Sequence, residues 1–147
     1  MTTITLDANV FVTAFDRNDP LQKVCRQLLN LISTGAYPVF SPTLLFPEIA
    51  AAFARGSSRP QLAQNFVNEA RKLLFIRPVV VDEQLANQAV SLAINSRLRG
   101  ADAIYVATAV RYRALLITND GNMLKRVPQL AVMSPMEAFA HFSALDE

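Results

Sequence analysis

Residues 100–120, GADAIYVATAVRYRALLITND, decide the fold. From Asp102 to Tyr112 the spacing predicts a helix, with Asp102, Val106 and Ala109 on one face. Leu115 to Thr118 then reads as a short strand that stops near Asp120. The start of the chain repeats the second half of that pattern. Thr3 to Leu6 is a β-prone run that ends at Asp7, and Val10 to Phe15 continues as a short helix or turn. In open α/β sheets, ligands bind beyond the carboxyl ends of the strands. Asp7 and Asp120 therefore fall where such a site would be built, although either could instead cap the helix that follows it.

Working outward, helices and strands alternate along the rest of the chain. Leu21, Val24, Cys25, Leu28, Leu29 and Ile32 form the buried stripe of a helix that Gly35 ends. Val39-Phe40 is a second strand, with Ser41-Pro42 as a helix entry, and a helical pattern then runs through Glu48 to about Ala54. Gln61 to Leu74 reads as another helix and Ile76 to Val81 as a buried strand. Asp82 can cap a helix running to about Leu98, with Gly100 closing it. Gly121 to Arg126 is a short helix, Leu130 to Met133 a last strand, and Ser134-Pro135 opens a terminal helix to about Phe142. This alternation implies one α/β domain over residues 1–147, with a central parallel sheet of four to five strands flanked by helices.

Bulk composition narrows the function classes. The chain has 147 residues, of which 52% are hydrophobic and 18% charged, as expected of a compact core rather than disorder. A single cysteine, Cys25, excludes an internal disulfide and a thiolate metal cluster. The opening Met-Thr-Thr-Ile-Thr-Leu lacks the basic flank and apolar stretch of a signal peptide, and no apolar run reaches the length of a membrane span. The expectation is a soluble cytoplasmic protein that does not engage membranes. The net charge of +2 is small. Setting aside four acids in one cleft leaves 8 acids against 14 Lys plus Arg, a shell of about +6 around an acidic hole. That distribution suits a polyanionic substrate whose chemistry needs cations.

Glu48 and Asp102 supply the other two acids. Each lies among apolar helical neighbours, and an acid on a buried-facing stripe is costly unless paired or metal-bound. An N-cap for Asp102 and a salt bridge for Glu48 are the plain alternatives. Four carboxylates together repel by about 4 kcal/mol per pair at 4 Å and an effective dielectric near 20. Divalent cations offset that, and hard oxygen ligands favour Mg²⁺ or Mn²⁺ over Zn²⁺. The only histidine, His141, sits in the terminal helix as a surface or packing residue.

The segments Leu6-Asp7-Ala8-Asn9-Val10, Pro47-Glu48-Ile49, Gly100-Ala101-Asp102-Ala103 and Thr118-Asn119-Asp120 resemble, in order and spacing, the four signature blocks of PIN-domain nucleases. The chain looks most like the VapC-type toxins of toxin–antitoxin pairs, over essentially its whole length. The resemblance implies a metal-dependent endoribonuclease. Asp7, Glu48, Asp102 and Asp120 match the acidic quartet that binds Mg²⁺ or Mn²⁺ and activates water against an RNA phosphodiester. Asn9 and Thr118 match polar positions that fix those acids. A cognate antitoxin that inserts a basic residue toward the acidic cleft, and a homodimer, are also implied. The apolar helices from Leu21 to Leu74 could supply those interfaces or equally be core. Arg97 and Arg99, just before Asp102, could contact the RNA backbone or simply offset a helix dipole.

Two departures stand out. Pro47 directly precedes Glu48, so either the helix starts near Pro47 or Glu48 is displaced. Gly121 and Asn122 follow Asp120 where some relatives carry a further acid, which implies a weaker hold on a second ion. Two rivals remain. A haloacid-dehalogenase-like phosphatase also places an aspartate after its first strand, but needs a second acid where this chain has Asn9. A catalytically inactive PIN-like module that docks RNA or protein would not require the full quartet.

Overall fold

The structure is a computed structural model that describes residues 2–56 and 58–146. Its elements alternate as expected: β1 (Ile4–Leu6), α1 (Ala8–Ala14), α2 (Gln22–Thr34), β2 (Val39–Pro42), α3 (Leu45–Arg55), α4 (Pro60–Arg71), β3 (Ile76–Val79), α5 (Glu83–Ser96), α6 (Gly100–Tyr112), β4 (Leu115–Ile117), α7 (Gly121–Arg126), β5 (Val132–Met133) and α8 (Pro135–Leu145). The five strands form one sheet in the order β3-β2-β1-β4-β5, and every pairing is parallel. Parallel neighbours need crossovers, and these run right-handed. The helices between β1 and β3 therefore cover one face, and α5 with α6 return the chain across the other to β4. α6 packs against β1, β2 and β4 on that return.

The sheet centre is the core. Every residue of β1 and β4 is buried, as apolar strands covered on both faces must be. Leu116, Ile117, Ile4 and Leu6 are wholly enclosed there, with Phe11, Leu28, Ile32 and Phe142 from the covering helices. Strand order reverses between β1 and β4, with Leu6 opposite Ile117. The residues that follow both strands open onto the crevice of that switch point, the usual ligand position in such sheets.

Several local expectations are corrected. Ser41-Pro42 belongs to β2 rather than opening a helix, because the Ser41 hydroxyl donates to the Leu6 carbonyl and accepts from the Leu6 N–H, tying β2 to β1. The strand from Ile76 is an edge strand with Arg77 and Pro78 exposed, not a buried one, and an edge is where a strand tolerates proline. α5 ends on Arg97 in the left-handed region (φ 54°), not on Gly100, which instead opens α6. Gly35 caps α2 in an ordinary helical conformation, and Ala36 takes the positive φ of 56°. Pro47 lies in the first turn of α3, where its missing N–H costs nothing, so the helix begins at Leu45 and Glu48 is not displaced. His141 is exposed in α8.

Candidate metal centre

Asp7, Asn9, Glu48, Asp102 and Asp120 line one cleft of about 210 Å³ at the carboxyl edge of the sheet. Five elements deliver them. Asp7 directly follows β1 and stands at the N-cap position of α1, yet its side chain makes no capping bond. Glu48 and Asp102 project from the first turns of α3 and α6. Asp120 stands before α7 and does cap it, its Oδ1 accepting from the N–H groups of Asn122 (2.8 Å) and Met123 (3.1 Å). For Asp120 the capping role and a place in the cleft coexist; for Asp7 and Asp102 the capping alternative fails.

Thr118 ties the cleft together. Its hydroxyl donates to Asp7 Oδ2 at 2.8 Å and accepts from the Asp120 N–H at 2.9 Å and from Asn9 Nδ2 at 3.5 Å. Asn9 Oδ1 in turn accepts from the Asn119 N–H at 3.2 Å. The two polar positions thus clamp the β1 and β4 ends together. Arg99 closes the outer side: Nε donates to Asp102 Oδ2 at 3.1 Å and Nη2 to Asp120 Oδ2 at 3.0 Å.

Electrostatics betray the strain of gathering acids. The Asp7 carboxyl is raised to about 6: burial pushes it up most, the Thr118 hydrogen bond pulls it back, and the charges of Glu48 and Asp102 add to the rise. Burial likewise raises Asp102, against the pull of Arg99. Tyr105, 1% exposed, sets its phenol beside Glu48, and burial with the neighbouring acid keeps the phenol protonated. Glu48 Oε1 and Tyr105 Oη are both buried without an aligned hydrogen-bond partner among the described residues.

The raised Asp7 carboxyl makes a stability prediction with a definite sign. Well below pH 3.8, its unperturbed value, the group is neutral folded and unfolded alike. Ionising it in the folded chain then costs progressively more, reaching about 3 kcal/mol above about pH 6. Asp7→Asn should therefore raise the thermal midpoint of the metal-free protein at pH 7.5, with the gain shrinking toward pH 4. Melts of both proteins at the two pH values check it; an equal gain at both would refute the cause given.

Sequence reasoning named both arginines before Asp102, and the structure separates them. Arg99 lines the cleft, whereas Arg97 closes α5 and accepts a hydrogen bond from Arg126 Nη1 on its carbonyl. Arg55, which also lines the cleft, was missed. It follows Glu48 and Ala52 at i+7 and i+3, a shared helix face that could have found it.

The four acids offer only oxygen ligands, and one buried Glu48 oxygen has only the Tyr105 phenol beside it, a set that fits a hard divalent cation. As the side chains stand, no group of three acids among the described residues is close enough together to hold one.

Residues 4–130 match the family described as PIN domain. The chain belongs to the PIN domain family. Solved structures share the fold of this PIN domain at low identity. VapBC2 from Rickettsia felis, bound to a DNA fragment from its promoter, gives a TM-score of 0.71 at 14% identity, covering 90% of this chain and 98% of that one. A toxin–antitoxin complex from Klebsiella pneumoniae gives 0.66 at 20% identity, with 90% and 98% covered. VapC20 of Mycobacterium tuberculosis, described as a Sarcin-Ricin loop cleaving toxin, gives 0.69 at 14% identity, with 83% and 93% covered. No curated protein matches this PIN domain by sequence.

Proposed function

We propose that residues 1–147 form one metal-dependent endoribonuclease domain, the toxin of a type II toxin–antitoxin pair, acting in the cytoplasm. The observation that carries this reading is the convergence of Asp7, Glu48, Asp102 and Asp120 on one cleft at the sheet's switch point. Asp7, Asp102 and Asp120, with Glu48, would hold Mg²⁺ or Mn²⁺. When bound, such a cation supplies an activated water and neutralises charge on the phosphodiester. Thr118 and Asn9 keep the Asp7 carboxylate aimed into the cleft. Glu48, whose carboxylate also neighbours the Tyr105 phenol, would ligate the ion, hold a water on it or accept a proton from the attacking water. Arg55 and Arg99 on the rim would meet RNA phosphates. VapC20, described as a Sarcin-Ricin loop cleaving toxin, shares the fold, which supports this choice of substrate.

An antitoxin partner and a homodimer belong to the same reading. Among the structural neighbours are toxin–antitoxin complexes. Beside the acidic cleft runs an apolar one between α1, α3 and α4, lined by Phe11, Phe15, Ile49, Phe53, Phe66 and Leu73. Phe53 stacks on Phe66 at 4.0 Å there. Val12 and Ala52 border both the acidic cleft and an adjoining hollow against Phe15 and Phe53. An amphipathic antitoxin segment seated on these phenylalanines could thus reach the carboxylates with a basic side chain. No helix among the described residues is long and apolar enough to cross a membrane.

The test is direct. Purified protein incubated with structured RNA and Mn²⁺ or Mg²⁺ should cleave it, and EDTA should stop the cleavage. Metal binding without cleavage of any RNA offered would point to a narrow substrate. Absence of metal binding would replace this reading with that of a docking module.

A further inference from the structure

Arg99 is placed as more than a rim residue. One guanidinium reaches two carboxylates that different elements supply: Asp102 from the first turn of α6, and Asp120 from the start of α7, 21 residues away in sequence. Both bonds use Oδ2. For Asp120 that is the oxygen left over, because Oδ1 is spent on the backbone of α7. We propose that Arg99 is a resident counter-ion of the acidic cleft, a cation in cis that holds Asp102 and Asp120 together and must swing out before a divalent cation takes the same oxygens. The inference rests on the metal-site reading above.

The partners differ in freedom, which makes the arrangement a switch rather than a fixed brace. The Asp102 and Asp120 side chains are 11% and 16% exposed, whereas that of Arg99 is 75% exposed. The acids are held by packing and capping; the arginine is anchored only at its backbone, in the extended N-cap position of α6. Each exposed pair is weak alone, but two on one fork hold it closed together, and an entering divalent cation can still displace them. A planar fork with several N–H donors can bridge two carboxylates; a lysine ammonium is a point charge and matches that geometry less well. In this arrangement no three acids among the described residues are grouped as a metal site requires. The ion-binding form is then a fraction of the population, and apparent metal affinity is lowered by that fraction.

Arg55 provides the control, since it lines the same cleft without an ion pair to any of the four acids among the described residues. Calorimetric titration of wild type, Arg99→Ala, Arg99→Lys and Arg55→Ala with Mn²⁺ alone, in the absence of RNA, separates a closed fork from general charge. Arg99→Ala should tighten Mn²⁺ binding about tenfold or more, with Arg99→Lys in between. Arg55→Ala, which removes one positive charge from the same cleft but breaks no ion pair there, should tighten it only by that general charge effect, clearly less than Arg99→Ala. Equal tightening in Arg99→Ala and Arg55→Ala would overturn the proposal, as would unchanged binding in Arg99→Ala beside a wild type that binds. Binding by Arg99→Ala alone would support it. No binding by either would overturn the metal reading and this inference with it.

Discussion

Asp102→Asn should lower metal-dependent RNA cleavage by about a thousandfold or more, equivalent to about 4 kcal/mol of transition-state stabilisation. Asp102 is 8% exposed in the first turn of α6, so its position is set by a packed helix rather than by solvent. The amide keeps the volume and retains an oxygen that can accept from Arg99 Nε, now held at 3.1 Å by the carboxylate. What it loses is the negative charge and one anionic ligand. Neutralising a carboxylate whose charge is already disfavoured by burial should leave folding stability close to wild type. Initial rates on a structured RNA with Mn²⁺, beside thermal melts of both proteins, give the two quantities. A well-folded variant with activity within tenfold of wild type would remove Asp102 from the site.

Sequence carried the frame of this result because its signals are local. The apolar runs before Asp7 and Asp120 are short and wholly buried, the first stopping at an acid and the second two residues short of one, so strand, strand end and sheet edge could be read together. What escaped was decided by tertiary contacts. Ser41 looked like a helix entry because its hydroxyl usually caps, whereas here it bonds to the backbone of β1. Gly100 looked like a helix stop because glycine adopts positive φ cheaply, yet Arg97 adopts it three residues earlier. Arg99 could be named as a basic residue near the site, but its reach to Asp120 depends on how α6 and α7 meet the sheet. Tyr105 sits among apolar residues in a helix pattern, and only its burial beside Glu48 sets it apart.

Thr118→Val should weaken both the fold and the site, for one reason. The hydroxyl is 0% exposed and makes three hydrogen bonds, so no water is at hand to replace it. Valine fills nearly the same space but leaves Asp7 Oδ2 and the Asp120 N–H without their partner. Each unsatisfied buried group costs about 1–3 kcal/mol, which predicts a loss of stability of about 2–5 kcal/mol. The effect on the site is separable. Without the donor the Asp7 carboxylate loses both its aim and the one hydrogen bond from a side chain that holds its pKa down. Removal of an outer partner of this kind typically costs 10–100-fold in metal affinity. Denaturant unfolding measures the first effect, and Mn²⁺ titration of the folded variant measures the second. Thr118→Ser retains the hydroxyl and should recover most of both. If Ser behaves like Val, the methyl group and its packing are what matter, and Thr118 does not position the acid.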